Sequence, residues 1–168
     1  TLGMIFSLMG GYTININETD RKFPYAEGSL GFTYKISTSG NWMLATLLKG
    51  KALFDNDFEF YQAATVGGDT DLRGFRNQRF SGKQSFYQST DLRWNLGKID
   101  NGVAPLRYGV FGGFDYGRVW VPNEESDKWH QAYGGGIWIN GVNLVTGKLS
   151  LFNSADGLRV SAGLGFGF

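Results

Sequence analysis

An arginine and two carboxylates are the residues of this chain whose types and spacing could form a charged site. Asp91 and Asp115 lie on two candidate strands that follow each other in the chain, and Arg73 lies in the long polar segment before them. An arginine stays charged and can hold a carboxylate through two parallel hydrogen bonds. Two acids could also hydrolyse a glycosidic bond, but an arginine partner makes a structural lock the better interpretation. We therefore predict an ionic lock and no catalytic residues.

The composition excludes most other kinds of reactive site. The chain has no cysteine and one histidine, which rules out disulfides, thiol catalysis and a multi-histidine metal centre. Its net charge is +1, far from the basic excess that a nucleic-acid-binding protein requires. We predict no metal, no cofactor and no nucleic-acid partner.

The elements that must position the lock are β-strands. Glycine accounts for 26 of the 168 residues, and charged residues for only 18%, below the usual share of about 25%. Apolar and polar residues alternate with a period of two in eight segments. These candidate strands cover residues about 2–16, 24–37, 41–54, 85–96, 105–121, 129–140, 144–153 and 158–168.

The length of these strands favours a membrane barrel over a soluble sandwich. Strands of soluble sheets most often have about 5–6 residues, whereas tilted strands that cross a membrane need about 9–11. Large aromatic residues lie near strand ends, as membrane interfaces prefer: Tyr12, Trp42, Trp120 and Trp129. The predicted fold is all-β, a transmembrane antiparallel barrel with eight up-and-down strands per chain. The alternation by itself also allows a soluble sandwich.

The alternation of inward and outward side chains along the strands places both acids inside that barrel. Asp91 and Asp115 fall on the polar face of two sequential strands, so their carboxylates should lie close together across a hairpin. Arg73 reaches them only if the long segment folds back into the lumen. Glycines on the same face leave room for that segment: Gly109, Gly113 and Gly117. At the opposite end of the strands, Asn140-Gly141 predicts a tight hairpin turn.

Four sequence elements follow one another in a recognisable order. Leu72-Arg73-Gly74-Phe75 is a loop motif, Ser89–Arg93 and Phe111–Gly117 are acid-bearing strand segments, and the last strand ends in Phe168. Together they resemble the BamA-type outer-membrane protein family, which includes assembly insertases and two-partner secretion transporters. The resemblance implies that the loop motif is locked to partners on the barrel wall, Asp91, Gly113, Asp115 and Gly117. It also implies an assembly signal on the last strand and a weakly paired seam between the terminal strands. The residues expected in them are Leu164, Phe166, Phe168, Gly163 and Gly165.

The resemblance carries expectations about function. It implies a barrel in the bacterial outer membrane that assists the insertion or translocation of proteins and is not an enzyme. Its expected partners are outer-membrane lipid and client outer-membrane proteins. Two alternatives stay open: a membrane anchor or exporter for a fused soluble domain, such as a patatin-like lipase, and a small passive pore.

The strand count matches only part of such a barrel. In 16-stranded family barrels five strands follow the signature loop, and here five candidate strands follow it and three precede it. The chain therefore resembles the C-terminal eight strands. We predict one barrel domain over residues 1–168, with a long external loop at about 55–84 and both termini in the periplasm. Without a signal peptide or POTRA repeats, it is expected to be a mature chain, a fragment or the ordered part of something longer.

Closure of the barrel determines the expected partner. An eight-stranded barrel is just wide enough for its own side chains, so it cannot also hold the long loop. Unpaired strand edges cannot face lipid. Two copies could form one 16-stranded barrel, a separate N-terminal half could complete it, or the loop could stay outside. We favour a homodimer, because a two-fold related pair supplies both missing edges.

Overall fold

A computed structural model describes residues 2–14, 22–54, 63–68, 71–100, 105–122, 128–142 and 144–166. Ten strands form in this part of the chain: β1 (Leu2–Ile14), β2 (Lys22–Lys35), β3 (Trp42–Leu53), β4 (Ala64–Val66), β5 (Phe80–Gly82), β6 (Gln84–Asp100), β7 (Pro105–Trp120), β8 (His130–Gly141), β9 (Val145–Ser154) and β10 (Gly157–Phe166). No helix of the described residues is long and apolar enough to cross a membrane.

The eight long strands form one antiparallel up-and-down sheet in the order β1-β2-β3-β6-β7-β8-β9-β10. Each strand pairs with its neighbours along the chain, and only the β4–β5 hairpin interrupts the sequence. The prediction of an all-β, eight-stranded antiparallel fold is confirmed. Residues of β1 and β10 border the same cavity, which shows that the sheet is curved. The described residues of these two strands do not pair with each other. The sheet is therefore an open part of a barrel.

The alternation of residues separates an outer face from an inner face. On β1 the outer residues Met4, Phe6 and Leu8 are each at least 65% exposed. In a soluble protein so large an apolar surface would be unusual, whereas a lipid-facing wall requires it. Two aromatic belts border this wall: Trp42 stacks on Trp94 near the short turns, with ring centroids 5.0 Å apart, and an aromatic cluster lies at the other end. That cluster contains Phe86, Tyr116, Trp120 and Trp129.

The core lies on the inner face, and the long segment between β3 and β6 supplies much of it. Leu72 and Phe75 from this segment are 0% and 1% exposed. They pack with inner-face residues of the sheet, among them Tyr87, Phe111 and Phe152. The described part of the segment therefore folds inside the curved sheet. The alternative prediction, in which the loop stays outside, is wrong for this structure. Residues 55–62 and 69–70 of the segment lie outside the described residues.

Three local predictions need correction. The segment predicted as one long loop contains the short hairpin β4–β5, whose three-residue strands are too short to show alternation. The strand predicted at about 85–96 is longer, because the pairing of β6 with β7 continues to Asp100 past an irregularity between Asn95 and Gly97. Asn140 and Gly141 are the last paired residues of β8 rather than the turn itself.

The displaced hairpin turn has a physical reason. The Asn140 side chain is fully buried and donates through Nδ2 to Thr146 Oγ1 across the strands, at 2.9 Å. The pairing therefore continues for one more step, and the chain reverses beyond it. Val142 takes the left-handed conformation, with φ of 56°, and the Leu144 amide donates to the Gly141 carbonyl.

Candidate functional site

The loop motif Leu72-Arg73-Gly74-Phe75 forms a tight turn that points Arg73 at the sheet. The Phe75 amide donates to the Leu72 carbonyl at 3.2 Å, and Gly74 has a φ of 107°. A side chain at Gly74 would be strained in this conformation and would place its Cβ 3.1 Å from that of Ala132. Glycine therefore allows the turn to lie directly on the inner face of the sheet.

Arg73 and Asp115 form a buried bidentate pair. Nε donates to Asp115 Oδ2 at 2.8 Å and Nη2 to Oδ1 at 2.6 Å. The Arg73 backbone amide also donates to Oδ2, at 3.0 Å, so both the side chain and the main chain of the loop are bound. Asp115 is 0% exposed. Breaking such a pair leaves a buried charge without a partner, which is costly.

Asp91 extends the pair into a network on the neighbouring strand. Its Oδ1 lies 2.7 Å from Arg73 Nη2, and its Oδ2 lies 3.2 Å from Arg93 Nη2. Arg73 Nη2 also donates to Ser89 Oγ at 3.0 Å. The predicted lock residues Arg73, Asp91 and Asp115 are thus brought together, and Ser89 and Arg93 join them from the same strand as Asp91.

Aromatic rings complete the surroundings of the guanidinium. Arg73 Cζ lies 4.2 Å from the centroid of the Phe152 ring and 5.9 Å from that of Phe111. Burial alone lowers the pKa of Arg73, but the hydrogen bond to Asp115 and the charge of Asp91 outweigh it, so the pKa is raised above its ordinary value. The arginine stays charged, with two carboxylates and an aromatic ring against its guanidinium.

The inner-face glycines differ in what they make room for. A Cβ at Gly113 would lie 2.8 Å from Arg73 Nη2 and 2.9 Å from Asp91 Oδ1, and one at Gly117 would lie 3.3 Å from Leu72 Cδ1. Both therefore admit the loop. Gly109 instead admits the ring of Trp138, whose Cζ2 would lie 2.7 Å from such a Cβ.

A second group of contacts, which the sequence did not reveal, ties the loop to the β9–β10 hairpin. Ser154 Oγ donates to the Gly74 carbonyl at 2.7 Å, and Arg159 Nη1 donates to the Phe75 carbonyl at 3.0 Å. Arg79 pairs with Asp156 at 2.9 Å. These partners are separated by about eighty positions and belong to no motif, so only the folded chain identifies them.

The predicted terminal signal lies only partly within the described residues. Leu164 is 80% exposed on β10, and a Cβ added at Gly163 or Gly165 would meet nothing within 4 Å. The Phe166 side chain and Phe168 lie outside the described residues. The roles expected for these positions stay predictions.

One family model matches residues 10–141, and its description is haemolysin secretion/activation protein ShlB/FhaC/HecB. No curated protein and no solved structure matches the chain. The matched range runs from β1 to the end of β8 and contains the loop motif and both lock acids. The resemblance to the BamA-type superfamily, of which this family is a part, is thereby confirmed. The chain belongs to the haemolysin secretion/activation family ShlB/FhaC/HecB, whose members are protein-secretion barrels of the bacterial outer membrane.

Proposed function

We propose that this chain forms part of the wall of an outer-membrane secretion barrel and that the Arg73 lock holds the signature loop inside the lumen during export of a client protein. The observation that carries this proposal is the buried network of Arg73 with Asp115 and Asp91. It fastens the loop to two adjacent strands, β6 and β7. A loop held there occupies the lumen and determines how much space a client polypeptide has.

The same network argues against catalysis by the two acids. Asp115 is 0% and Asp91 5% exposed, and both carboxylates are paired with arginines. A general acid or base must reach the proton that it transfers, and these groups cannot reach a substrate. We infer that the site is structural.

The orientation follows from the proposed secretion barrel. Outer-membrane barrels have short periplasmic turns and longer external loops. With the signature loop on the external side, the short connection at 36–41 and the turn after Gly141 lie on the periplasmic side, as do both termini.

Secretion of a client by cells that produce the protein in its full natural context tests the lock. Arg73→Ala should reduce export strongly, and Arg73→Lys should restore little, because an ammonium cannot reproduce the bidentate fork. Arg76→Ala, an exposed arginine of the same loop, is the matched control and should secrete normally. Normal export by Arg73→Ala at wild-type abundance in the outer membrane would contradict the proposal.

Closure of the barrel requires partners for the outer edges of β1 and β10. Eight is an even number, so these two strands run antiparallel, and β10 of one copy can pair with β1 of another. We propose a two-copy barrel, with a separate N-terminal half as the alternative. Cysteines at Met4 and Leu164, which are 65% and 80% exposed, should crosslink between differently tagged copies. Crosslinks within single chains alone would exclude the two-copy barrel.

A further inference from the structure

An open cavity of about 1150 Å³ lies beside the lock on the inner face of the sheet. It is bordered at one end by Arg73 and Asp91 and reaches the strand ends near the short turns at Lys35 and Asn41. Between the lock and the short turns, four cationic side chains and one indole line the cavity. We call this group the basic trough: Lys35, Arg93, Arg107, Trp138 and Lys148.

The basic trough carries more positive charge than its surroundings balance. The lining of the cavity includes only two acids, Asp71 and Asp91, and Asp91 is shared by Arg73 and Arg93. Among the residues that the structure describes, no carboxylate lies within 4.0 Å of the cationic groups of Lys35, Arg107 or Lys148. Elsewhere on the inner face, by contrast, Lys49 pairs with Glu27 at 2.7 Å.

A buried donor without a partner lies in the same trough. Trp138 is 8% exposed, and its Nε1 has no hydrogen-bond partner among the described atoms. Buried polar groups of native proteins are nearly always hydrogen-bonded. Trp138 stands directly opposite Lys148 across the β8–β9 ladder. The ring edge that carries Nε1 lies over Gly109 of β7, where an added Cβ would come 2.8 Å from Cε2. Trp138 therefore offers its donor to a ligand on the β7 side of the trough.

The spacing of the cations selects an extended ligand over a small anion. Lys35 is on β2 and Lys148 on β9, five strand positions apart in the sheet, which is about 24 Å along the sheet at roughly 4.8 Å per strand. A single phosphate or acetate contacts only neighbouring cations and cannot bridge all of these strands. An extended polypeptide that carries several carboxylates can, and apolar neighbours such as Phe111 and Leu47 suit its remaining side chains.

We propose that the basic trough binds acidic segments of the client polypeptide through Lys35, Arg93, Arg107 and Lys148, with Trp138 as an additional donor. The proposal rests on the secretion function proposed above, and it adds a chemical preference for aspartate- and glutamate-rich segments. Because Lys35, Arg107 and Lys148 are exposed, the attraction should weaken as salt screens it.

Binding of a fluorescent peptide that alternates glutamate with serine tests the proposal, with the protein in a non-ionic detergent. Its affinity should exceed that of the matched glutamine peptide and should fall as salt rises. The double variant Lys35→Gln with Lys148→Gln should bind the acidic peptide roughly tenfold more weakly, as expected for two lost exposed ion contacts. Lys98→Gln with Lys128→Gln removes the same charge outside the trough and should bind as the wild type does.

Two further measurements sharpen the result. Trp138→Phe keeps an aromatic ring but removes the N–H donor, and it should weaken binding by roughly threefold. A single-stranded DNA of equal charge is the competing polyanion, and tighter binding of DNA than of the peptide would overturn the assignment to polypeptide. Equal affinities for the glutamate and glutamine peptides, or an unchanged affinity of the trough double variant, would overturn the trough itself.

The peptide assay and the secretion assay fail independently. If the acidic peptide binds selectively but export does not depend on this protein, the proposed function fails while the binding site stands. If export depends on Arg73 but the trough variant binds and exports acidic clients as the wild type does, the inference fails while the proposed function stands.

Discussion

The lock and the basic trough lie side by side on the inner face of the sheet, but their positive charges differ in how far they are paired with acids. Arg73 is surrounded by two carboxylates, a serine and an aromatic ring, and is 9% exposed. Lys148 faces an open cavity with no acid in contact among the described residues. A buried charge must be matched by a partner, whereas a solvated charge need not be. Paired charge therefore indicates a structural role, and unpaired charge remains available for a ligand.

Removal of the lock arginine should have the largest effect. Arg73→Ala leaves Asp115 buried without its partner, and loss of one member of a buried pair costs about 3–5 kcal/mol. We expect the loop to lose its protection from protease while the β-sheet content stays unchanged. Limited proteolysis and circular dichroism in detergent measure the two properties. Arg76→Ala is the control, and equal protease resistance of Arg73→Ala and wild type would contradict a structural lock.

Crowding of the lock without removal of any charge should have an intermediate effect. A methyl group at Gly113 would lie under 3.0 Å from Arg73, Phe152 and Asp91. Such overpacking typically costs about 1–3 kcal/mol. Gly113→Ala should lower the urea midpoint of the lipid-reconstituted protein. Gly112→Ala, where the added Cβ lies 4.0 Å from its nearest neighbour, the Gly134 carbonyl oxygen, should leave it unchanged. A similar loss in both variants would show that the lock does not require the glycine.

The exposed ion pair between Arg79 and Asp156 should contribute less to stability. The side chains of Arg79 and Asp156 are 48% and 26% exposed, and water screens their attraction. Exposed pairs contribute about 0.2–1 kcal/mol. A double-mutant cycle of Arg79→Ala and Asp156→Ala should give a coupling energy in that range, reduced at high salt. A coupling of several kcal/mol would place this pair in the same class as the lock.

Neutralisation of a trough cation should have the smallest effect on stability. Lys148→Gln removes a charge that has no acidic partner among the described residues, so the unfolding free energy should stay within about 0.5 kcal/mol of wild type. Lys98→Gln, at an exposed position near the end of β6, serves as the reference. A loss as large as that of Arg73→Ala would show that Lys148 is structural, and the contrast between the two regions would disappear.

The sequence-based predictions succeeded where a pattern had a local physical cause. Alternation predicted all eight long strands, because each residue of a strand faces opposite to its neighbour. The same alternation placed Asp91 and Asp115 on the inner face, and the structure has them there. The short β4–β5 hairpin showed no alternation, and the turn signal at Asn140 was overridden when its amide found Thr146 across the ladder.

The amino-acid sequence by itself determined the strand order, the lipid-facing surface and the motif that identifies the family, because these depend on period, composition and neighbouring residues. Only the tertiary structure decided that the loop lies inside the sheet, that Ser154 and Arg159 bind its carbonyls, and that the trough cations share one cavity. Those contacts join residues far apart in the chain. Their geometry depends on the curvature of the whole sheet, which no local segment encodes.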